Sequence, residues 1–97
     1  EEDTGDDHMF LRTLNLAEGG LASAQLDLAH IYKEGLYVEK NDELAYEWLL
    51  KAAQQGLAEA ECRLGDCFYD GEGVEKDADK AFFWYSKAAE HDYPPAY

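Results

Sequence analysis

Residues 17–52 read AEGGLASAQLDLAHIYKEGLYVEKNDELAYEWLLKA, and residues 53–88 read AQQGLAEAECRLGDCFYDGEGVEKDADKAFFWYSKA. The two stretches follow one another without a gap, and 14 of their 36 positions carry the same residue. Most of the shared residues are alanine, glycine or leucine. Self-similarity at a period of this length is typical of proteins that stack one supersecondary unit several times. The period of 36 residues therefore decides the fold.

Each copy predicts two helices joined by a short loop. Gly35 and Gly71 follow the first apolar set, where a left-handed C-terminal cap favours glycine. Asn41 and Asp77 stand where the second helix needs an N-cap, because their side-chain oxygens can accept from its first amides. No strand-like alternation is present, so the sequence predicts an all-α fold. The apolar residues that recur at helical spacing are Leu21, Ala24, Leu28, Ile31, Tyr32, Ala45, Trp48, Leu49 and Ala52, then Leu57, Ala60, Leu64, Cys67, Phe68, Ala81, Trp84, Tyr85 and Ala88.

The chain divides into five segments within one predicted solenoid domain. Residues 1–7 include five acidic side chains and are predicted to form a disordered tail. Residues 8–18 are in register with the second helix of a repeat and are predicted to form a degenerate N-terminal helix or a cap. Repeat 1 is expected over residues 19–54 and repeat 2 over residues 55–90, and residues 91–97 open a third. The chain is interpreted as about two full repeats with flanking partial repeats, either cut from a longer array or capped at its N-terminus.

The composition limits the possible partners. Hydrophobic residues make up 46% of the chain, which is enough for a core, and the net charge is −14. Such a surface repels nucleic acid and anionic membranes and attracts cationic partners. No apolar run is long enough to insert into a membrane. No export signal is visible, so a cytoplasmic location is favoured although the compartment is not determined.

The repeat resembles the Sel-1-like repeat family, a relative of the tetratricopeptide class of α/α solenoids. Its pattern is A-x-x-x-L-G-x-x-Y-x-x-G-x-G-V followed by K-A-x-x-W-Y-x-K-A-A-x-x-G, and the resemblance covers residues 17–97. The matching residues of the second copy are Ala60, Leu64, Gly65, Phe68, Gly71, Gly73, Val74, Lys80, Ala81, Trp84, Tyr85, Lys87, Ala88 and Ala89. The resemblance implies a right-handed superhelix that serves as a docking platform for proteins, with no shared catalytic site. Tyr37 stands where the family has glycine, so the first loop is expected to bend differently.

The two cysteines are predicted to be reduced. Cys62 and Cys67 are five residues apart on one predicted helix and point about 140° away from each other, so they cannot pair. We predict that Cys67 lies in the core and Cys62 nearer the surface. A secreted, cysteine-rich branch of the family bridges its repeats at positions that correspond here to alanines. The absence of cysteine at these positions argues against membership of that branch and against its β-lactam binding. The alanines are Ala53, Ala60, Ala89 and Ala96.

No residue pattern predicts a metal, a cofactor or a catalytic group. His30 has Asp27 three residues before it and Glu34 four residues after it, an arrangement that a metal site or an acid–base pair could use. No second histidine lies within a turn to complete a ligand set. None of the nucleophile, zinc-protease, P-loop or dinucleotide motifs is present. His30 is therefore interpreted as a surface histidine, and the chain as non-catalytic.

The aromatic residues fall into two groups. Tyr32, Phe68, Trp48 and Trp84 recur at fixed repeat positions and are predicted to be core. The repeat does not explain the second group, whose members are either exposed binding anchors or contacts between adjacent repeats. This second group consists of Tyr37, Tyr69, Phe83 and Tyr93.

The predicted function is a protein-interaction scaffold whose inner surface is formed by the first helix of each repeat. Acidic side chains dominate the polar positions that turn away from the core, so the expected partner is a protein or peptide with a basic or amphipathic segment. The predicted binding residues are Asp27, His30, Glu34, Arg63, Asp66, Tyr69 and Asp70. The alternative is a small-molecule-binding or β-lactam-hydrolase-like role, as in the cysteine-rich branch. Self-association through exposed repeat ends, at Phe10, Tyr93 and Tyr97, is a third possibility.

Overall fold

The computed structural model describes residues 5–91, with side chains from residue 9 onward. Five helices follow one another in this part of the chain, and each packs against the next. They are α1 (Gly5–Glu18), α2 (Ala22–Glu34), α3 (Asp42–Gln54), α4 (Ala58–Asp70) and α5 (Ala78–Glu90). The described residues thus form an all-α repeat solenoid, which confirms the predicted fold class. None of these helices is long and apolar enough to span a bilayer.

The first helix begins earlier than the sequence predicted. α1 starts at Gly5, inside the stretch that was expected to be a disordered tail. By the 36-residue register its first turn corresponds to that of α3, where Asp42 and Glu43 stabilise the positive end of the helix dipole. The chain carries aspartates at both corresponding positions. Residues 1–4 and 92–97 lie outside the described residues. The predictions of a disordered tail at the first of these segments and of a third repeat at the second therefore concern residues that the structure does not describe.

The predicted caps are present in both repeats. Gly35 and Gly71 end α2 and α4 in the left-handed region, with φ of 71° and 74°. Asn41 and Asp77 precede α3 and α5, and their side-chain oxygens accept from the amides three residues later at 3.0 and 3.2 Å. Because these signals recur at the same positions, the two hairpins have the same helix lengths.

The core consists mainly of alanines that let the helices approach closely, with Leu28 and Leu64 fully buried between them. The prediction that four recurring aromatics are core is correct only for Phe68, of which 5% is exposed. Tyr32, Trp48 and Trp84 are half-buried. These three lie at the rim of the core; Trp48, for example, packs against the core clusters of both repeats.

Both cysteines are buried, so the prediction that Cys62 lies nearer the surface was wrong. Both cysteines lie on α4, which packs against α3 as well as α5. The sequence of one hairpin does not indicate that a helix of the preceding repeat also covers α4. Burial raises the pKa of the Cys67 thiol to about 11. The Cys67 thiol is therefore protonated at neutral pH and a poor nucleophile.

The two inter-helix loops bend in the same way, contrary to the expectation from Tyr37. Tyr37 has a φ of 68°, and its counterpart Gly73 has a φ of 75°. An L-residue in this left-handed region carries about 1–2 kcal/mol of strain. The first loop therefore keeps the fold of the second at the cost of a strained tyrosine, whose side chain is 44% exposed.

Replacing Tyr37 with glycine is expected to raise the free energy of unfolding by about 0.5–1 kcal/mol. The change removes the left-handed strain, and the greater entropy of glycine in the unfolded chain offsets part of the gain. Urea unfolding followed by circular dichroism measures the difference. A lower midpoint for Tyr37→Gly would show that packing of the tyrosine ring outweighs the backbone strain.

Candidate protein-binding surface

The first helices of the two repeats, α2 and α4, present their polar residues on one exposed face. Leu28 on α2 and Leu64 on α4 point into the core. The positions on the opposite side of each of these helices therefore point outward. The structure places all seven predicted binding residues at exposed positions. These are Asp27, His30 and Glu34 on α2 and Arg63, Asp66, Tyr69 and Asp70 on α4.

A groove of about 120 Å³, which we call the inter-repeat groove, lies between α2 and α4. Its apolar lining comes from Leu26, Ala29, Leu49 and Cys67, and its polar lining from His30, Lys33, Arg63, Asp66, Asp70 and Glu72. A shallower hollow of about 240 Å³ adjoins it and brings Asp27 and Glu59 beside His30 and Arg63. The face thus offers an apolar strip flanked by charged groups.

A second groove of about 530 Å³, which we call the end groove, lies between α4 and α5. Its lining consists of Asp66, Tyr69, Asp70, Ala78, Ala81, Phe82 and Tyr85. The Tyr85 hydroxyl donates to Asp66 Oδ1. Burial and the Asp66 carboxylate raise the pKa of Tyr85, so its hydroxyl remains a donor at neutral pH. A Cβ at Gly65 would lie 2.9 Å from the Tyr85 ring, so only glycine lets this ring lie against α4.

The cations on this face are already neutralised by acids of the same chain. Lys33 Nζ lies 2.5 Å from Glu72 Oε1, an ion pair that joins α2 to the loop of the second repeat. Arg63 pairs with Glu59 one turn away at 3.1 Å. Several acids of the face have no ion pair with any described residue; these are Asp27, Glu34 and Asp70. The face therefore keeps an excess of negative charge.

The predicted residues divide between the two grooves. His30 and Arg63 line the inter-repeat groove, Tyr69 lines the end groove, and Asp66 and Asp70 line both. Asp27 lies in the adjoining hollow, and Glu34 is exposed but lines none of these depressions.

Sequence reasoning did not identify Lys33, Glu72, Phe82 or Tyr85 as part of this surface. The Lys33–Glu72 pair joins residues 39 positions apart, and no local pattern indicates it. Phe82 could have been found, because it stands 36 residues after Tyr46 and so occupies the same repeat position.

The arrangement offers no evident metal chemistry within residues 9–91. No three His, Cys, Asp or Glu side chains there are grouped so that they could hold an ion. His30 is exposed and lies in the hollow that Asp27, Glu59 and Arg63 also line.

Helical hairpins that stack in register and leave shallow grooves along one face define an α/α repeat solenoid of the kind used for protein recognition. The Sel1 repeat matches residues 22–57 and residues 58–93, and the chain belongs to the Sel1 repeat family. The resemblance found in the sequence is thereby confirmed. Sel1 repeats are generally protein-interaction modules and not enzymes.

Solved structures share the fold over most of this chain. A Sel1 repeat protein from Oxalobacter formigenes is 34% identical and superposes with a TM-score of 0.86, covering 89% of this chain and 25% of its own. The antigen c5321 of uropathogenic Escherichia coli, which displays an SLR fold, is 35% identical with a TM-score of 0.83, covering 84% and 18%. The cysteine-rich protein B of Helicobacter pylori is 25% identical with a TM-score of 0.84, covering 87% and 63%. The chain thus spans less than two thirds of each of these proteins. Comparison with curated proteins gives no match.

Proposed function

We propose that this chain is a non-catalytic docking module that binds a basic or amphipathic segment of a partner protein on the exposed face of α2 and α4. The observation that carries the proposal is the set of acids on this face that lack an ion pair, above all Asp70 at the rim of the inter-repeat groove. The two cations of the same groove, Lys33 and Arg63, form ion pairs with Glu72 and Glu59. They therefore do not neutralise Asp70.

The inter-repeat groove supports an amphipathic occupant. Its apolar residues, including Leu26 and Leu49, give a contact for aliphatic side chains, while the acids on its rim attract cationic ones. Charge complementarity of this kind mainly raises the association rate and the specificity, and salt weakens it. Binding is therefore expected to weaken as ionic strength rises.

Replacing both Asp66 and Asp70 with lysine is expected to weaken partner binding by about 10-fold or more, because the change reverses two charges on the rim. The matched control is the double lysine variant of Glu39 and Glu47, two exposed acids outside both grooves that change the net charge equally. Partner is captured from a lysate of the source at low and high salt, and its affinity for each purified variant is then measured by biolayer interferometry.

Circular dichroism must show unchanged helicity for both variants, because Asp66 also accepts from Tyr85. Equal weakening by the two double variants would mean that net charge alone governs binding. Unchanged binding to the Asp66 and Asp70 variant would place the partner elsewhere on the molecule.

A further inference from the structure

The inter-repeat groove has the size and the lining of a site for one side chain. Its volume of about 120 Å³ is somewhat smaller than the cavity of about 150 Å³ that holds one benzene molecule in an engineered protein core. Its apolar lining comes from three helices, with Leu26 and Ala29 on α2, Leu49 on α3 and Cys67 on α4. A single elongated aliphatic stem would therefore fill the groove, while the backbone that carries this stem stays outside.

The charges of the groove favour a cation at one end. Lys33 and Asp70 line this end from the last turns of α2 and α4, and Glu72 follows in the loop. A helix carries a partial negative charge at its C-terminus, so both helix ends add to the field of the carboxylates. Lys33 is paired with Glu72, whereas Asp70 has no ion pair with any described residue. The end of the groove therefore keeps one uncompensated carboxylate beside apolar surface.

Lys33 shows that this end of the groove accommodates an ammonium group. The hydrogen bond from its Nζ to Glu72 raises the pKa of Lys33, so the side chain stays charged at neutral pH. The side chains of Lys33 and Glu72 are 39% and 38% exposed, so a second cation can reach their ion pair from solvent. Lys33 thus competes with an incoming cation for Glu72 and leaves Asp70 as the free acceptor.

We propose that the inter-repeat groove binds one long basic side chain of the partner, with its aliphatic stem on Leu26 and Leu49 and its charged end at Asp70. This inference rests on the proposed docking function and names the group that docks. A lysine fits, because its four methylene groups can lie on apolar surface while the ammonium reaches a carboxylate. An acidic side chain has no such partner, because Lys33 and Arg63 are both paired within the chain.

The probe is Nα-acetyl-lysine N-methylamide, which offers a lysine side chain without the rest of a partner. It is titrated into the whole ¹⁵N-labelled chain at constant ionic strength, and the amide chemical shifts are recorded. The same derivatives of other amino acids separate the features of the side chain. Norleucine keeps the stem without the charge, and diaminopropionate keeps the charge on a short stem. Arginine offers the other long basic side chain, and glutamate offers the opposite charge.

The expected result is a saturable shift of amides beside the groove, such as those of Ala29 and Asp70. The dissociation constant is expected to be on the order of 1–10 mM, the range for a ligand with about a dozen heavy atoms. The lysine derivative is expected to bind about 5-fold or more tightly than those of norleucine and diaminopropionate, because each of these lacks one half of the contact. The arginine derivative shows which of the two basic residues the groove prefers.

Three variants of the chain test the assigned contacts. Asp70→Asn keeps the shape and removes the charge, so it is expected to weaken binding of the lysine derivative about 5-fold or more. Lys33→Met keeps a side chain of similar length and frees Glu72 as a second acceptor, so it is expected to tighten binding about 3-fold or more. The control is Asp79→Asn, at an exposed aspartate of α5 outside all three depressions, with an expected change below about 2-fold. The amide spectrum of each free variant checks its fold.

Several results would overturn the proposal. They are no saturable shift with either basic derivative, equal binding of the lysine and norleucine derivatives, equal losses for Asp70→Asn and Asp79→Asn, or weaker binding to Lys33→Met. Tighter binding of the glutamate derivative would assign the groove to an anion instead. The docking proposal has a separate test, because it uses the captured partner and the variant in which lysine replaces Asp66 and Asp70. If that variant loses the partner although no derivative binds, docking on this face stands and the side-chain site fails.

Discussion

Replacing Gly73 with alanine is expected to lower the free energy of unfolding by about 3 kcal/mol. Gly73 has a φ of 75°, and an L-residue there carries about 1–2 kcal/mol of strain. A Cβ at this position would also run into the backbone carbonyl of Asp42 at the start of α3 and lie 3.1 Å from Tyr46 Cβ. A backbone carbonyl cannot rotate away as a flexible side chain does, so the loop of repeat 2 must move off α3. Forcing atoms into a filled contact adds about 1–3 kcal/mol.

A glycine with the same strain but no neighbour separates these two costs. Gly56 has a φ of 89°, and a Cβ built there would have no atom within 4 Å. Gly56→Ala is therefore expected to cost only the strain, less the entropy that alanine removes from the unfolded chain, a net loss of about 0.5–1 kcal/mol. Urea unfolding of both variants measures the difference between them. Equal losses for Gly73→Ala and Gly56→Ala would show that the loop relaxes freely and that its contact with Asp42 does not join the repeats.

The sequence predicts much of the fold because its signals are local and occur twice. Gly35 and Gly71 end a helix in the same conformation, and Asn41 and Asp77 begin one with the same hydrogen bond. Contacts between repeats are harder to predict, because they depend on how the hairpins pack. The burial of Cys62 is one such outcome, since α4 is covered by α3 as well as by its own partner α5.

The candidate surface was predictable only in part for the same reason. Helical periodicity correctly indicates that Asp27, Asp66 and Asp70 face outward. It does not indicate that a groove lies beside them, because the walls come from other elements. Glu72 reaches the inter-repeat groove from a loop, and Phe82 reaches the end groove from α5. The depth and lining of both grooves are therefore properties of the packed solenoid.

A polar pair, with Gln25 buried and Gln55 exposed, also differs between the two repeats. In repeat 1, Gln25 on α2 is 5% exposed, and its Nε2 donates to the Ala17 carbonyl at 3.1 Å. Its Oε1 accepts from Gln55 Nε2 at 3.0 Å, and Gln55 also donates to the Gly20 carbonyl at 2.9 Å. The amide side chain of Gln25 is thus satisfied at both ends. This pair ties the start of α2 to the helix ends on either side of it.

Thirty-six residues later the same two positions hold Glu61 and His91. Glu61 is fully buried, and its Oε1 lies 2.8 Å from His91 Nδ1. Its Oε2 is buried and has no hydrogen-bond partner among the described residues. By register, the carbonyl corresponding to that of Ala17 belongs to Ala53, and a carboxyl group, unlike an amide, has no N–H to donate to it. The second repeat therefore carries an uncompensated buried oxygen where the first has a satisfied amide.

Replacing Glu61 with glutamine is expected to raise the free energy of unfolding by about 1–3 kcal/mol, the usual cost of a buried polar atom without a partner. The amide keeps an acceptor for His91 and gains a donor for the carbonyl of Ala53. The reverse change, Gln25→Glu, removes the bond to Ala17 and is expected to destabilise the chain by a similar amount. Urea unfolding of both variants at one pH gives the two differences with opposite sign. Destabilisation by Glu61→Gln would mean instead that the charge on Glu61, through its contact with His91, stabilises the junction between α4 and the end of α5 by more than its burial costs.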